Sequence, residues 1–239
     1  MKLSGTVLFL CFFQLLSLSA LTLWGQSDDT TVLAVNKTRD FEITGDGHAA
    51  NWNDEKWLPL PKRNKNGVDY LTKMKILYSD SGIYCLYYCQ DNHLVSTLRE
   101  DFSDLFNEDV VEAFFWTDEK MPIYFEYELS PFNYELPILV PNNNGNFLGW
   151  RPWHYEGNRR TRHATHVIEN NGGIVGWTAE FFIPYALLRP MTNIPPVKNT
   201  RWRANFYRID YDNKASAWSW QLTRNNFHDY ERFGTLLFK

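Results

Sequence analysis

The stretch Ile123-Tyr-Phe-Glu-Tyr-Glu-Leu129 sets two carboxylates, Glu126 and Glu128, two residues apart, and Glu135 follows closely. Paired carboxylates are the groups that hydrolyse glycosidic bonds as acid, base or nucleophile. They also accept hydrogen bonds from hydroxyl groups without any catalysis. On a β-strand, alternation puts Tyr124, Glu126, Glu128 and Ser130 on one face and Phe125, Tyr127 and Leu129 on the other. The Glu face then reads as solvated, with a row of carboxylates beside aromatic rings. A second candidate is Gly149-Trp-Arg-Pro-Trp-His-Tyr-Glu-Gly157, a Pro/Gly-bounded loop whose Trp150 and Trp153 could wall a cleft. The basic run Arg159–His163 follows it and reads as a solvated charge cluster. His163 and His166 are three apart, which puts them on opposite faces of a strand and argues against a shared metal. There is no GxSxG elbow, no P-loop and no HExxH. Asp210-Tyr-Asp-Asn213 lacks the glycine and final glutamate of an EF-hand loop.

The elements that must position these residues read as strands. Lys73–Tyr78 and Gly82–Cys89 are apolar-rich runs joined by the turn Ser79-Asp-Ser81, which predicts a hairpin. Asp109–Trp116 and Ile123–Leu129 form a second pair. Later runs are His163–Ile168, Gly176–Ile183, Trp202–Tyr211, Ala217–Trp220 and Gly234–Phe238. Asn170-Asn-Gly-Gly173 is a strong hairpin turn. No run keeps a 3.6-residue period, and the one helical hint is the short Pro184–Leu188. The expected fold is all-β, an antiparallel sandwich of jelly-roll or immunoglobulin-like type with one short helical turn.

The 239 residues hold 17 Phe, 13 Tyr and 10 Trp, enough to fill a large core and to exclude a disordered chain. A net charge of −4 argues against a partner held by phosphate contacts. Residues 1–26 read as a secretory signal peptide: a basic start, a charge-free apolar run, then Ser17, Ser19 and Ala20. The expected location is secreted or periplasmic, including the cell surface, with no membrane span after cleavage. Cys11 lies inside the apolar run and does not look like a lipid attachment point. Residues 27–37 read as a flexible tail and 38–239 as one domain. Cys85 and Cys89, four residues apart on a strand, are separated by about 13 Å. That is too far for a disulfide, so both are expected as small buried hydrophobes.

In order along the chain come Ile43-Thr-Gly-Asp46, Trp52, Lys73–Tyr78, Gly82–Leu86 with Gln90-Asp91, and Asp109-x-Val111-Glu112-x-Phe114. Phe125–Pro131 with Asn133, Trp177–Pro184, Asn205 and Asn226–Gly234 follow. This succession resembles the family 9 carbohydrate-binding modules over about residues 38 to 238. The resemblance implies a sugar-binding sandwich with structural calcium and no organic cofactor. Such modules are non-catalytic and usually accompany glycoside hydrolases in polysaccharide breakdown. Where better-known members clamp a terminal sugar between two Trp rings, the matching positions are Phe106 and Phe227. The hydrogen-bonding Glu falls on Glu112. A cationic and an amide position fall on Glu126 and Glu128, and Arg224 stands where an amide is expected. Asn205 and Tyr207 fall on a strand lining the same cleft. Trp150 and Trp153 complete the candidate carbohydrate-binding set. Asp46, Asp91, Asp109 and Asp229 are the candidate calcium ligands. The expected partners are an oligo- or polysaccharide and a glycoside hydrolase. Two other readings are a glycosidase using paired Glu and a haem-binding electron carrier, for which Met121 with His93 or His154 are the available axial ligands.

Overall fold

A computed structural model of the chain describes residues 31–143, 146–153 and 156–239. The expected signal peptide lies outside these residues. Among the described residues the chain forms fourteen strands. They are β1 Val32–Lys37, β2 Leu58–Pro59, β3 Thr72–Tyr78, β4 Gly82–Gln90, β5 Val110–Trp116, β6 Ile123–Leu129, β7 Glu135–Asn143, β8 Asn146–Phe147, β9 Arg151–Pro152, β10 Arg162–Asn170, β11 Gly173–Pro184, β12 Arg201–Asp210, β13 Ser216–Ser219 and β14 Gly234–Phe238. The fold is the all-β sandwich that the strand pattern predicted. One sheet runs β10-β11-β4-β3, with β2 beside β3. The other runs β14-β12-β5-β6-β7, with β13 beside β12.

The stretch read as a flexible tail is corrected. Its second half is β1, which joins the two sheets. Val32–Val35 pair in parallel with Thr235–Phe238, and Asn36 and Lys37 then pair with Leu77 and Tyr78. Leu33 and Val35 reach the core cluster, so the strand is fixed by burial as well as by its ladders. Its mixed composition and short length hid it. β7 was also missed because Pro137 and Pro141 interrupt its apolar run. Proline is tolerated there because β7 lies at the side of the sheet, where, among the described residues, its further neighbours are the short β8 and β9. The predicted helical turn at Pro184–Leu188 is a run of tight turns continuing to Met191. The four 3₁₀ turns among the described residues lie elsewhere.

Both predicted hairpins form, β3–β4 and β5–β6. Asn171 and Gly172 take φ of 52° and 79°, the left-handed values that a tight hairpin between β10 and β11 requires. Gly82 is needed for a different reason: a Cβ there would meet the Ile183 carbonyl oxygen at 2.3 Å.

The inner faces meet in one core. Val111, Ala113, Phe115, Phe125, Tyr127 and Phe206 face Ile76, Cys85, Tyr87, Cys89 and Phe181. Tyr127 and Phe181 make contact between the layers with centroids 4.7 Å apart. Both cysteines are buried free thiols, as their spacing predicted. On the outer face of the second sheet a separate apolar cluster forms around Phe114, Tyr124, Ile138 and Tyr207, covered by Leu105, Tyr230 and Phe233. That covered outer face is where the site lies.

Candidate functional site

Strand parity builds the floor of the site. Glu112 of β5 stands directly opposite Glu128 of β6, and Glu126 stands opposite Phe114. All three glutamates therefore leave the same outer face. They are not solvated as a simple sandwich predicts, because the segment after β13 folds back over the sheet. Glu112, Glu126 and Glu128 are 2 %, 4 % and 0 % exposed. They line a cavity of about 450 Å³ together with Phe106, Phe114, Trp150, Phe227, His228 and Arg63. That volume lies in the range of sites for small ligands.

The electrostatics follow from burial. Desolvation pushes the Glu112 carboxyl up to about 8, with the Arg63 guanidinium pulling the other way. Glu126 and Glu128 rise well above the carboxylate range, first through burial and then through Glu112; Glu126 raises Glu128 further, whereas Glu128 pulls Glu126 back. Neither Glu128 oxygen, nor Oε2 of Glu126, has a hydrogen-bond partner of full geometry. The Phe106 backbone N–H and the adjoining carboxyl are the weaker polar neighbours of Glu128. His228 Nδ1 lies 3.7 Å from Glu126 Oε2, but it is engaged by the Tyr124 hydroxyl at 2.6 Å. Burial pulls the His228 imidazole down to about 4, so it is neutral at physiological pH.

Six of the ten sequence candidates meet at this cavity: Phe106, Glu112, Glu126, Glu128, Trp150 and Phe227. The other four do not line it. Asn205 is fully buried and fastens β12 to the following loop, donating to the Gln221 carbonyl at 2.9 Å and accepting from its N–H. Tyr207 lies beneath Phe227, the rings 4.0 Å apart and 9° from parallel, and its hydroxyl donates to the Phe227 carbonyl. Arg224 is held by both oxygens of Asp229 and by Glu231. Trp153 packs on the inter-sheet core and donates to the Leu187 carbonyl at 2.7 Å. Glu135, another carboxylate of the opening motif, is also elsewhere: it accepts from the Tyr127 and Thr161 hydroxyls in the interior.

The cation that does reach the cavity is Arg63, which the sequence reading missed. It sits in a polar run after β2 with no local signal. Its guanidinium lies 4.8 Å from the Phe227 centroid and donates to Thr223. With Tyr207 and Arg63 both engaging Phe227, the aromatic lining is shared with Phe106 and Trp150, whose centroids are 6.5 Å apart in an edge arrangement. Phe147 adds an exposed ring stacked on His228 at 4.1 Å. Arg160, Arg162 and His163 line a different depression, beside Glu42 and Asn133.

The predicted metal ligands divide as well. Asp91 and Asp109 meet, and they are joined by Asp210, with carboxylate oxygens from the three within 4.8 Å of one another. Asp46 instead caps its own turn through Thr44 and the His48 N–H, and Asp229 is taken by Arg224. The buried Arg208 donates to Asp91 at 2.8 Å and Asp210 at 2.6 Å. Asp109 accepts from the Val95 and Tyr211 N–H groups. Burial raises Asp109 to about 7 and Asp210 to about 6. One guanidinium among these acids leaves negative charge uncompensated, and the donors are hard oxygens, so the residues fit calcium. The haem ligands do not come together. His93 pairs with Asp212 near the start of β5, while Met121 follows its far end, about 20 Å away for seven strand residues. His154 lies outside the described residues.

Taken together, the fold and site define a β-sandwich module with a cleft on the outer face of one sheet, floored by acids and walled by aromatic rings. The chain belongs to the carbohydrate family 9 binding domain-like family, whose profile matches residues 43–239. Its fold is similar to a putative carbohydrate-binding protein from Bacteroides uniformis, with a TM-score of 0.74 at 17 % identity over 87 % of this chain and 99 % of that one. It is also similar to a family 9 carbohydrate-binding module from Caldicellulosiruptor kristjanssonii. The cellotriose complex gives a TM-score of 0.62 at 16 % identity, covering 87 % of this chain and 93 % of that chain. The glucose complex gives 0.61 at 16 % identity, covering 87 % and 95 %. No curated protein sequence matches the chain.

Proposed function

We propose that the domain binds carbohydrate non-catalytically in the outer-face cleft, in support of polysaccharide breakdown by a glycoside hydrolase outside the cell. The observation that carries this reading is one cavity combining aromatic rings with buried carboxyls whose hydrogen bonds are unmade. A sugar offers apolar C–H faces to such rings and hydroxyl donors to such acids. The related Caldicellulosiruptor module holds cellotriose and glucose. A glycosidase needs two carboxyls flanking the scissile bond. Here Glu112, Glu126 and Glu128 stand side by side on one sheet face, which favours binding over hydrolysis. Calcium, when bound, would be held by Asp91, Asp109 and Asp210 and would supply positive charge to a buried acidic cluster beneath the strand ends.

Calorimetric titration of the purified protein with a glycan panel tests the proposal. Phe106→Ala should weaken binding about 5- to 30-fold, the effect of losing one ring contact of about 1–2 kcal/mol. Failure of the folded protein to bind any glycan refutes the reading.

A further inference from the structure

Among the described residues, three acids on the floor of the cleft stand against one guanidinium on its wall, more than a neutral sugar requires. From this arrangement we infer that the cleft selects a sugar carrying a free amino group, bound as its ammonium ion against Glu126 and Glu128. The inference rests on the carbohydrate-binding reading and narrows its ligand class.

The geometry singles out Glu126 and Glu128 within the trio. Arg63 acts on Glu112, and its guanidinium is already committed to Phe227 and Thr223. No guanidinium or lysine ammonium pairs with Glu126 or Glu128 among the described residues. His228, the nearest basic group, is held by Tyr124 and is neutral. Glu128 is fully buried, and neither of its oxygens has a hydrogen-bond partner of full geometry. A buried acceptor without a donor is destabilising, and more so when it is charged. Two carboxyls side by side are held most cheaply by sharing a proton. A ligand ammonium can take that place, since it brings three donors as well as the charge. A hydroxyl brings one donor and no charge.

The same floor disfavours other ligands. A uronic acid would bring further acceptors to a floor already rich in them, with Arg63 the one guanidinium at the cavity among the described residues. A lone divalent ion needs converging oxygens. Among the described residues, three acids gather within 4.8 Å only at Asp91, Asp109 and Asp210. The Glu trio is therefore more widely spread than an ion site, and it shares its cavity with Phe106, Phe114 and Trp150. Rings beside spread acids suit a body with apolar faces and a cationic substituent.

The test is calorimetry at constant ionic strength with matched β-1,4 tetramers of glucosamine, N-acetylglucosamine and glucose, and with putrescine as a non-sugar amine. The glucosamine tetramer should bind at least about tenfold more tightly than both neutral tetramers, as a charge-assisted hydrogen bond implies. Glu128→Gln should reduce that preference to about twofold or less while the thermal midpoint is kept or raised. Glu126→Gln serves as the second variant. Neutral tetramers binding as tightly as the amino tetramer would overturn the inference and leave the carbohydrate reading standing. Putrescine matching the amino tetramer would overturn it too, by making the cleft a simple amine site. If no sugar binds at all, both readings fall.

Discussion

Arg208→Met tests how the acidic end of the sandwich is held together. The Arg208 side chain is fully buried and points into the space between the sheets. One of its terminal nitrogens reaches Asp91 and Asp210, and the other donates to the Gln90 carbonyl at 2.7 Å and the Thr72 hydroxyl at 3.2 Å. It therefore ties β12 to β3 and to the end of β4. Its guanidinium also lies 4.8 Å from the Trp218 centroid. Methionine keeps much of this apolar packing and removes only the charge and the donors. Breaking a buried ion pair from one side costs about 3–5 kcal/mol. In a domain of this size that corresponds to a fall in Tm of roughly 6–20 °C.

The pH dependence has a definite sign. Asp109 and Asp210 have folded-state values of about 7 and about 6, above the unfolded value of 3.8. Between roughly pH 4 and pH 7 the folded state thus binds more protons than the unfolded state, and this contribution to stability declines as pH rises through that window. Removing Arg208, which holds Asp210 and Asp91 down, raises these two aspartates further and extends the window upward. The Tm difference between wild type and Arg208→Met should be largest at pH 8 and less than half as large at pH 5. Tryptophan fluorescence melts at each pH measure it, and Arg208→Lys, which keeps the charge without the fork, should fall between the two. A Tm within 2 °C of wild type at pH 8, or a greater loss at pH 5, refutes the reasoning.

Glu180→Gln should lower Tm by about 2–12 °C, because one buried carboxylate accepts the Trp52 indole N–H at 2.8 Å and the Thr44 and Gly45 N–H groups, and loss of its charge weakens bonds worth about 1–3 kcal/mol. Calcium at a hundredfold excess over its Kd should raise Tm by about 5–11 °C, the equivalent of about 2.7 kcal/mol. EDTA should reverse the rise and Asp109→Asn should abolish it. A calcium response that survives Asp109→Asn would place the ion elsewhere. Gly82→Ala should unfold at least a few degrees lower in the same melts, since the new Cβ has backbone 2.3 Å away.

What was legible from the residues was whatever local physics decides. Alternation in Ile123–Leu129 separated Phe125, Tyr127 and Leu129 from Glu126 and Glu128, and the two sets do face opposite sides of β6. The Asn-Gly turn at 171–172 fixed a hairpin, and strand spacing kept Cys85 and Cys89 unbridged. Long-range closure was not legible. The carboxylates were expected to meet solvent, and no local pattern says that Phe227–Phe233 returns to cover them. Arg63 reaches the cleft because its segment is tied to β13, with the Arg63 N–H donating to the Ala217 carbonyl and Asn64 to the Ala215 carbonyl, across some 150 residues. Arg224 looked free to contact a ligand, yet Asp229 and Glu231, five and seven residues ahead, capture it first. Aligned position placed Asn205 and Tyr207 near the cleft. Their side chains are spent on the scaffold: Asn205 on the Gln221 backbone and Tyr207 under the ring that the resemblance offered as a clamp.

The register of β6 links stability to the site. A slip of one residue would exchange its faces and drive Glu126 and Glu128 between the sheets, where Phe181 and Ala113 leave no donor for them. The inner face therefore pins the strand with Phe125, Tyr127 and Leu129, and the outer face can tolerate acids only because a cavity lies above them. Were the covering segment packed tightly on the sheet, the unpaired oxygens of Glu128 would be a pure loss. With a cavity of about 450 Å³ in between, the same oxygens are available to a ligand. The destabilising feature and the binding feature are thus one arrangement of side chains. Glu128→Gln should stabilise the ligand-free protein at neutral pH and weaken its hold on a cationic sugar, two effects that a merely structural glutamate would not show together.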